Sequence, residues 1–310
     1  MKHNTKITAI LISMFLVTQL IGLVVINVYL PKQTSVLNQT TGNYDNVTVK
    51  NTLPYGMEPP EVEPGISFSS ILISFVIAIV LILFLTRIKA ALFLRLWFFI
   101  VVIIAVGITF NALFLNFTIY SALVSFILAI PLAFYKVFKR NLWIHNATEL
   151  MIYPGIATIF VLLLNIPFII ILLILISIYD MWAVWKSKIM VKMAKFQINE
   201  LKFFAGFFVP YMDKKTRMLL KKNKGKKGKK IKVNLAILGG GDVVFPIITA
   251  GIFFKILGLV PALFVILGAT AGLLYLFMKS EKKKFYPAMP FITVGMFIGM
   301  ILSYLVSLIP

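Results

Sequence analysis

No cysteine occurs among the 310 residues, which removes disulfide frameworks, thiolate metal sites and cysteine nucleophiles together. Histidine is almost as scarce: the 2 present fall outside the apolar runs, which argues against a histidine-based site inside a membrane. Charge is thin and one-sided. Only 13% of the residues are charged, against about 25% in a typical globular protein. Lys and Arg number 31 and Asp and Glu 10. What fills the chain instead is apolar, 60% hydrophobic residues with a mean hydropathy of +0.98. This balance excludes a soluble fold and predicts a multi-pass protein of the cell membrane.

A spanning helix needs about 20 apolar residues, so the long tracts divide wherever polar residues, Pro or Gly interrupt them. The division gives an all-α integral membrane protein with nine transmembrane helices. The expected spans run near Ile7 to Leu30, Ile66 to Thr86, Ala90 to Ala112, Phe117 to Phe138, Met151 to Leu164, Ile166 to Trp185, Val233 to Leu257, Val260 to Met278 and Pro287 to Ile309. The first follows a basic start, has no A-x-A site after it and reads as a retained anchor. Residues 150–185 carry no Lys or Arg and are too long for one crossing of a core about 30 Å thick, so a break is placed at Asn165-Ile166-Pro167.

Orientation tests the count. With a cytoplasmic N-terminus and an extracytoplasmic C-terminus, only Lys32, Lys50 and Lys255 of the 31 basic residues lie outside. The chain then divides into an N-terminal half, 1–149, with spans one to four and an outer loop, 31–65, and a second half, 150–310, with spans five to nine. The second half contains a basic cytoplasmic loop, 186–232. In it Met190, Met193, Ala194, Leu201, Phe204 and Phe208 share one helical face, opposite Lys188, Lys192, Lys195 and Lys202, as in a helix lying among headgroups. The run Lys221 to Lys230 that follows is almost wholly Lys and Gly, suited to anionic headgroups. A purely anchoring role accounts for the loop equally well. Nucleic acid is not an expected partner, because no aromatic residues interleave the lysines.

Eight of the acidic residues are assigned outside lipid, Glu149 among them as the start of a span. Asp180 and Asp242 remain. One lies six residues before Lys186 and the other ten after Lys232, which puts both roughly 9–15 Å from the cytoplasmic edge at about 1.5 Å per residue. A carboxylate there is costly without a partner, and neither span offers a matching Lys or Arg. The expected partner of each is the other. Two close carboxyls in a low dielectric share a proton, which is what an aspartyl protease requires: one deprotonates water while the other protonates the developing oxyanion. Asp242 also follows Gly239-Gly240-Gly241, and glycine inside a helix is tolerated where another backbone approaches or where helices pack tightly. A serine mechanism would need a base such as His in the spans and a zinc mechanism H-E-x-x-H; neither is present. A proton-coupled transporter or channel could use the same carboxylates as a relay, although no second copy of the Gly-rich span marks an inverted repeat. A catalytically silent membrane adaptor acting through the basic loop is a third reading.

Tyr179-Asp180, Gly239-Gly240-Gly241-Asp242 and Pro287-Ala288-Met289-Pro290, in this order on spans six, seven and nine, resemble the YD, GxGD and PAL motifs of the presenilin and signal peptide peptidase family. The stretch Leu238 to Pro246 looks most like archaeal members. The resemblance covers mainly residues 150–310. It implies an intramembrane aspartyl endopeptidase acting on transmembrane helices without a cofactor or metal, with Asp180 and Asp242 as the catalytic pair. Tyr179, Gly239 and Gly241 would support them. Pro287, Ala288 and Met289 would lie beside the dyad and hold an unwound substrate strand, though prolines here equally suit a helix start. Met289 departs from the family's usual Leu, a change of similar volume that could alter cleavage preference. A lysine-rich loop on the inside matches the presenilin direction, not the inverted signal peptide peptidase one. The implied partners are substrate transmembrane segments and the bilayer, with a second copy of the chain left open.

Overall fold

Nine helices among the described residues are long and apolar enough to cross a membrane. The computed structural model describes residues 5–37, 44–49, 51–57, 64–88, 90–139, 141–187, 205–211, 234–280 and 286–307. Helix α1 spans Thr5–Tyr29, followed by strands β1 (Lys32–Leu37) and β2 (Tyr44–Val49) and a 3-10 turn at Pro54–Gly56. Then come α2 (Pro64–Arg87), α3 (Ala91–Phe114), α4 (Ser121–Phe138), α5 (Leu142–Leu163) and α6 (Ile166–Met181), the last running on into a π turn, Trp182–Lys186. Strands β3 (Gly206–Tyr211) and β4 (Asn234–Gly239) precede α7 (Gly240–Leu257), α8 (Leu259–Lys279) and α9 (Met289–Ser307).

Local chemistry sets several boundaries. Asn141 caps α5 by accepting from the amides of Trp143 and Ile144, and Asn165 caps α6 by accepting from Phe168. The expected break at Asn165-Ile166-Pro167 is therefore where one helix ends and the next begins. Gly258, at φ 94°, turns the chain between α7 and α8 in a conformation other residues avoid. At the far end of α7, Lys255 donates to the carbonyls of Val161 (3.0 Å), Leu162 (3.4 Å) and Leu164 (3.4 Å), satisfying the C-terminus of α5.

The structure departs from the sequence reading in five places. The outer loop, 31–65, carries an antiparallel hairpin, Lys32 opposite Val49 through Leu37 opposite Tyr44. The fifth span starts at Leu142, nine residues before the expected Met151, because α5 tolerates His145 and Glu149 in its interior. The seventh starts at Gly240, with residues 234–239 extended and paired to β3, since an apolar run scores alike whether strand or helix. Phe208 accordingly sits in strand β3, not on an amphipathic helix. The other residues assigned to that helix, and the lysine run, lie outside the described residues. The ninth helix opens at Met289, two residues after Pro287.

The bundle packs unevenly. Helices α8 and α9 touch through glycines: a Cβ on Gly268 would run into the Gly295 carbonyl oxygen, and one on Gly299 into that of Phe264. Helix α1 crosses the interior, where Leu11, Phe15 and Ile26 are buried. Helix α2 stands apart. Ile73, Val76, Ile77 and Val80 are all exposed, and an apolar cleft of about 580 Å³ separates α2 from α5, α6 and α7.

Candidate active site

Asp180 lies one residue before the end of α6 and is 7% exposed. The π turn that follows it is a kind of distortion that recurs at functional sites. One carboxylate oxygen accepts from the Met289 amide at 3.1 Å, and the Ala288 amide is beside it. One turn before Asp180 in α6 and one turn after Met289 in α9, Ser177 donates to Thr293 at 2.9 Å, tying α6 to α9 through two polar residues that carry no motif. Pro287 and Ala288 precede the helix, while the first amide of α9 is already engaged by Asp180. Tyr179 is half-buried, its ring 6.2 Å from that of Phe75 on α2 and 6.2 Å from that of Trp182.

Asp242 lies in the first turn of α7, half-buried, and within electrostatic reach of Asp180. The Gly239 amide is directed to its carboxylate. The three glycines before it differ. A Cβ on Gly239 would sit 3.1 Å from Asp242 Oδ2, and one on Gly240 would sit 2.8 Å from the Tyr153 hydroxyl. On Gly241 it would meet only Phe245, at 3.9 Å. The middle glycine is thus held by Tyr153, whereas Gly241 is exposed and crowded by nothing. Gln19 of α1 donates to the Val243 carbonyl at 3.1 Å, fixing the same turn from the other side.

No Lys, Arg or His among the described residues pairs with either aspartate. Also among the described residues, no group of three His, Asp or Glu is placed to hold a metal ion. The cleft beside α2 is lined by Ser70, Ser74, Phe75, Leu172 and Ile176, and reaches Phe245, one turn beyond Asp242.

A second polar centre, which the sequence reading assigned outside lipid, lies on α4 and α5. Lys136 and Glu149 are both buried and form an ion pair. His145, expected outside the membrane, is buried beside them: its Nδ1 is 3.4 Å from Lys136 Nζ and its Nε2 2.8 Å from the Gly206 carbonyl oxygen. Hydropathy windows assign charges near a span's end to the interface and cannot see that two of them neutralise each other.

A sequence family described as signal-peptide peptidase, presenilin aspartyl protease matches residues 46–309. No curated protein matches the chain. Two solved structures of a presenilin family intramembrane aspartate protease, in space groups C222 and P2, share the fold. The first superposes with a TM-score of 0.59 at 17% identity, covering 96% of this chain and 99% of the other. For the second the TM-score is 0.56 at 18% identity, with 96% of each chain covered.

Proposed function

From the premise that the chain belongs to the family of signal-peptide peptidases and presenilin aspartyl proteases, we propose that it is an intramembrane endopeptidase in which Asp180 and Asp242 are the catalytic pair. The observation that carries the reading is that two carboxylates lie within electrostatic reach of each other at one end of an apolar bundle, with amides and, among the described residues, no cation around them. In a low dielectric such a pair holds one proton between them. The ionised member takes a proton from water as the water oxygen bonds to the substrate carbonyl carbon. The protonated member gives its proton to the carbonyl oxygen. Collapse of the tetrahedral intermediate breaks the C–N bond, and a proton passes to the leaving amine.

A helix cannot be cut while its carbonyls are shielded, so the substrate has to unwind, and the hairpin beside the dyad suits an extended chain. In the β3–β4 register Leu238, Ala236 and Asn234 oppose Phe207, Val209 and Tyr211. The intervening Leu235 and Ile237 present their backbone groups on the other edge, where they bond to no described residue. A substrate strand adding there would be held by main-chain hydrogen bonds, with Pro287 and Ala288 nearby. The cleft beside α2 offers an apolar approach for the substrate helix. In this reading the N-terminus is cytoplasmic and cleavage falls nearer the cytoplasmic face, and the sequence context around Asp242 favours an archaeal type of member.

The test is cleavage of a single-span substrate by purified protein in liposomes, with product ends mapped by mass spectrometry. Cuts inside the apolar segment that vanish in Asp180→Asn and Asp242→Asn establish the reading. Folded wild type that cuts none of several unrelated substrates, yet carries a proton flux lost in the same variants, overturns it in favour of a relay.

A further inference from the structure

Strand β3 has two edges, and only one is paired to β4. Along a strand, successive residues direct their backbone groups to opposite sides. Phe207 and Val209 therefore serve β4, while Gly206, Phe208 and Pro210 face the other way. Proline, which has no amide hydrogen, is suited to that outer edge. There α5 takes the place of a third strand. The Gly206 amide donates to Glu149 Oε1 at 3.2 Å, and its carbonyl oxygen accepts from His145 at 2.8 Å. The Phe208 amide donates to Asn146 Oδ1 at 3.0 Å, and Asn146 Nδ2 donates to the Phe208 carbonyl at 2.8 Å. Every polar backbone atom of these two residues is thus held by a side chain of one helical turn and a little more. The His145 ring also stacks on Phe208, 4.7 Å between centroids.

Lys136 completes the arrangement. It neutralises Glu149 and donates towards His145 Nδ1, which leaves the Nε2 hydrogen for Gly206. The hairpin so held leads without a connecting residue into the candidate site, since β4 ends at Gly239 and α7 begins at Gly240. The Gly240 amide donates back to the Ala205 carbonyl at 3.2 Å, immediately before β3.

We propose that Glu149, Asn146 and His145, with Lys136 as counter-ion, form a clamp that fixes the β3–β4 hairpin on α5 and thereby positions Asp242 and the substrate-facing edge of β4. They are positioning residues: none touches the reacting atoms. The inference rests on the protease reading above, and Asp242 is the group through which the clamp acts.

The experiment compares kcat, KM, cleavage-site distribution and thermal midpoint for wild type, Lys136→Met, the exchanged pair Lys136→Glu/Glu149→Lys, Asn146→Ala and Tyr29→Phe, all in liposomes on one single-span substrate. The exchanged pair restores opposite charges and so recovers midpoint lost in Lys136→Met. It still withholds an acceptor from the Gly206 amide, because an ammonium only donates. The expected result is kcat reduced by about 10²-fold in the exchanged pair, as for an angstrom-scale misplacement, with KM little changed and cleavage positions spread. Asn146→Ala loses kcat in the same sense without any change of charge. Tyr29→Phe removes bonds to Ile108 and Asn111 at the opposite end of the bundle, lowering the midpoint while leaving kcat intact. Wild-type kcat in the exchanged pair overturns the clamp, as does wild-type kcat in Asn146→Ala should the exchanged pair not fold. A wild type that cleaves beside clamp variants that match it removes this inference alone; a wild type without cleavage removes the protease reading with it.

Discussion

Two charged centres share one end of this bundle and are built on opposite principles. At the junction of α4 and α5, Lys136 and Glu149 are buried against each other, and the carboxylate also accepts from a backbone amide, with His145 and Tyr153 beside it. At the ends of α6 and α7, Asp180 and Asp242 are two like groups with backbone amides around them and, among the described residues, no cation. Burying a compensated pair costs little once its bonds are complete, and breaking it costs much. Keeping two uncompensated carboxyls together has no structural return, and it suits the proposed chemistry, which needs one ionised and one protonated acid. The difference separates what holds the molecule from what it does.

The largest effect follows from breaking the uncompensated centre. Asp180→Asn and Asp242→Asn should each reduce cleavage by a factor on the order of 10²–10⁴ or more, with the thermal midpoint unchanged or raised, since removing an unpaired charge relieves the fold. A matching fall in midpoint would mean that these groups are structural after all. The compensated centre should behave the other way. Lys136→Met leaves Glu149 buried alone and should cost about 3–5 kcal/mol of stability, read as a drop in thermal midpoint. Lys136→Met combined with Glu149→Gln should recover much of that loss.

The contrast also explains what was legible in the sequence. Asp180, Asp242 and the segment Pro287 to Met289, on which the proposed site rests, stand out because acids are conspicuous in apolar runs and the flanking motifs are contiguous. The spans were legible for the same reason, each being one uninterrupted stretch. The clamp was not. Asn146 and Phe208 meet across 62 positions, and nothing in either's neighbourhood signals that an asparagine will stand in for a strand. Residues 234–239 and 240–257 form one apolar tract, and only the pairing of 234–239 with β3 makes it strand. Lys136 and His145 sit in the end turns of their helices, where charge is ordinarily solvated, and Glu149 lies about two turns into α5, so their burial follows from neighbours the sequence does not reveal.

The glycines before Asp242 sharpen the comparison at smaller cost. Gly240→Ala forces a Cβ against the Tyr153 ring and should destabilise by about 1–3 kcal/mol. Gly241→Ala meets only Phe245 at ordinary contact distance and should fold normally, gaining up to about 1 kcal/mol in helix propensity. Its effect should appear in cleavage instead, because the added methyl projects from an exposed position beside the dyad. Thermal midpoints and cleavage rates of the two variants should therefore rank in opposite orders. Equal losses in both would mean that the glycines serve packing alone.

Tyr153 is where the two centres come nearest to merging. Its ring packs edge-on against Phe207 of β3, and its hydroxyl lies against Gly240, in electrostatic reach of both Glu149 and Asp242. That hydroxyl is buried and outside regular hydrogen-bond geometry, with the Glu149 carboxylate placed nearby as an acceptor. A bond so poorly placed does little more than offset the hydroxyl's desolvation cost, so Tyr153→Phe should shift the midpoint by no more than about 1 kcal/mol in either direction. It should also soften Gly240→Ala, because the closest contact at 2.8 Å disappears while the ring carbon at 2.9 Å remains. A double-mutant cycle would read that coupling. Cleavage by Tyr153→Phe should match wild type, since the clamp acts on Asp242 through the backbone of β3 and β4. A fall in kcat with an unchanged midpoint would instead make the hydroxyl a bridge between the charge pair and the dyad, and the two centres would then be one.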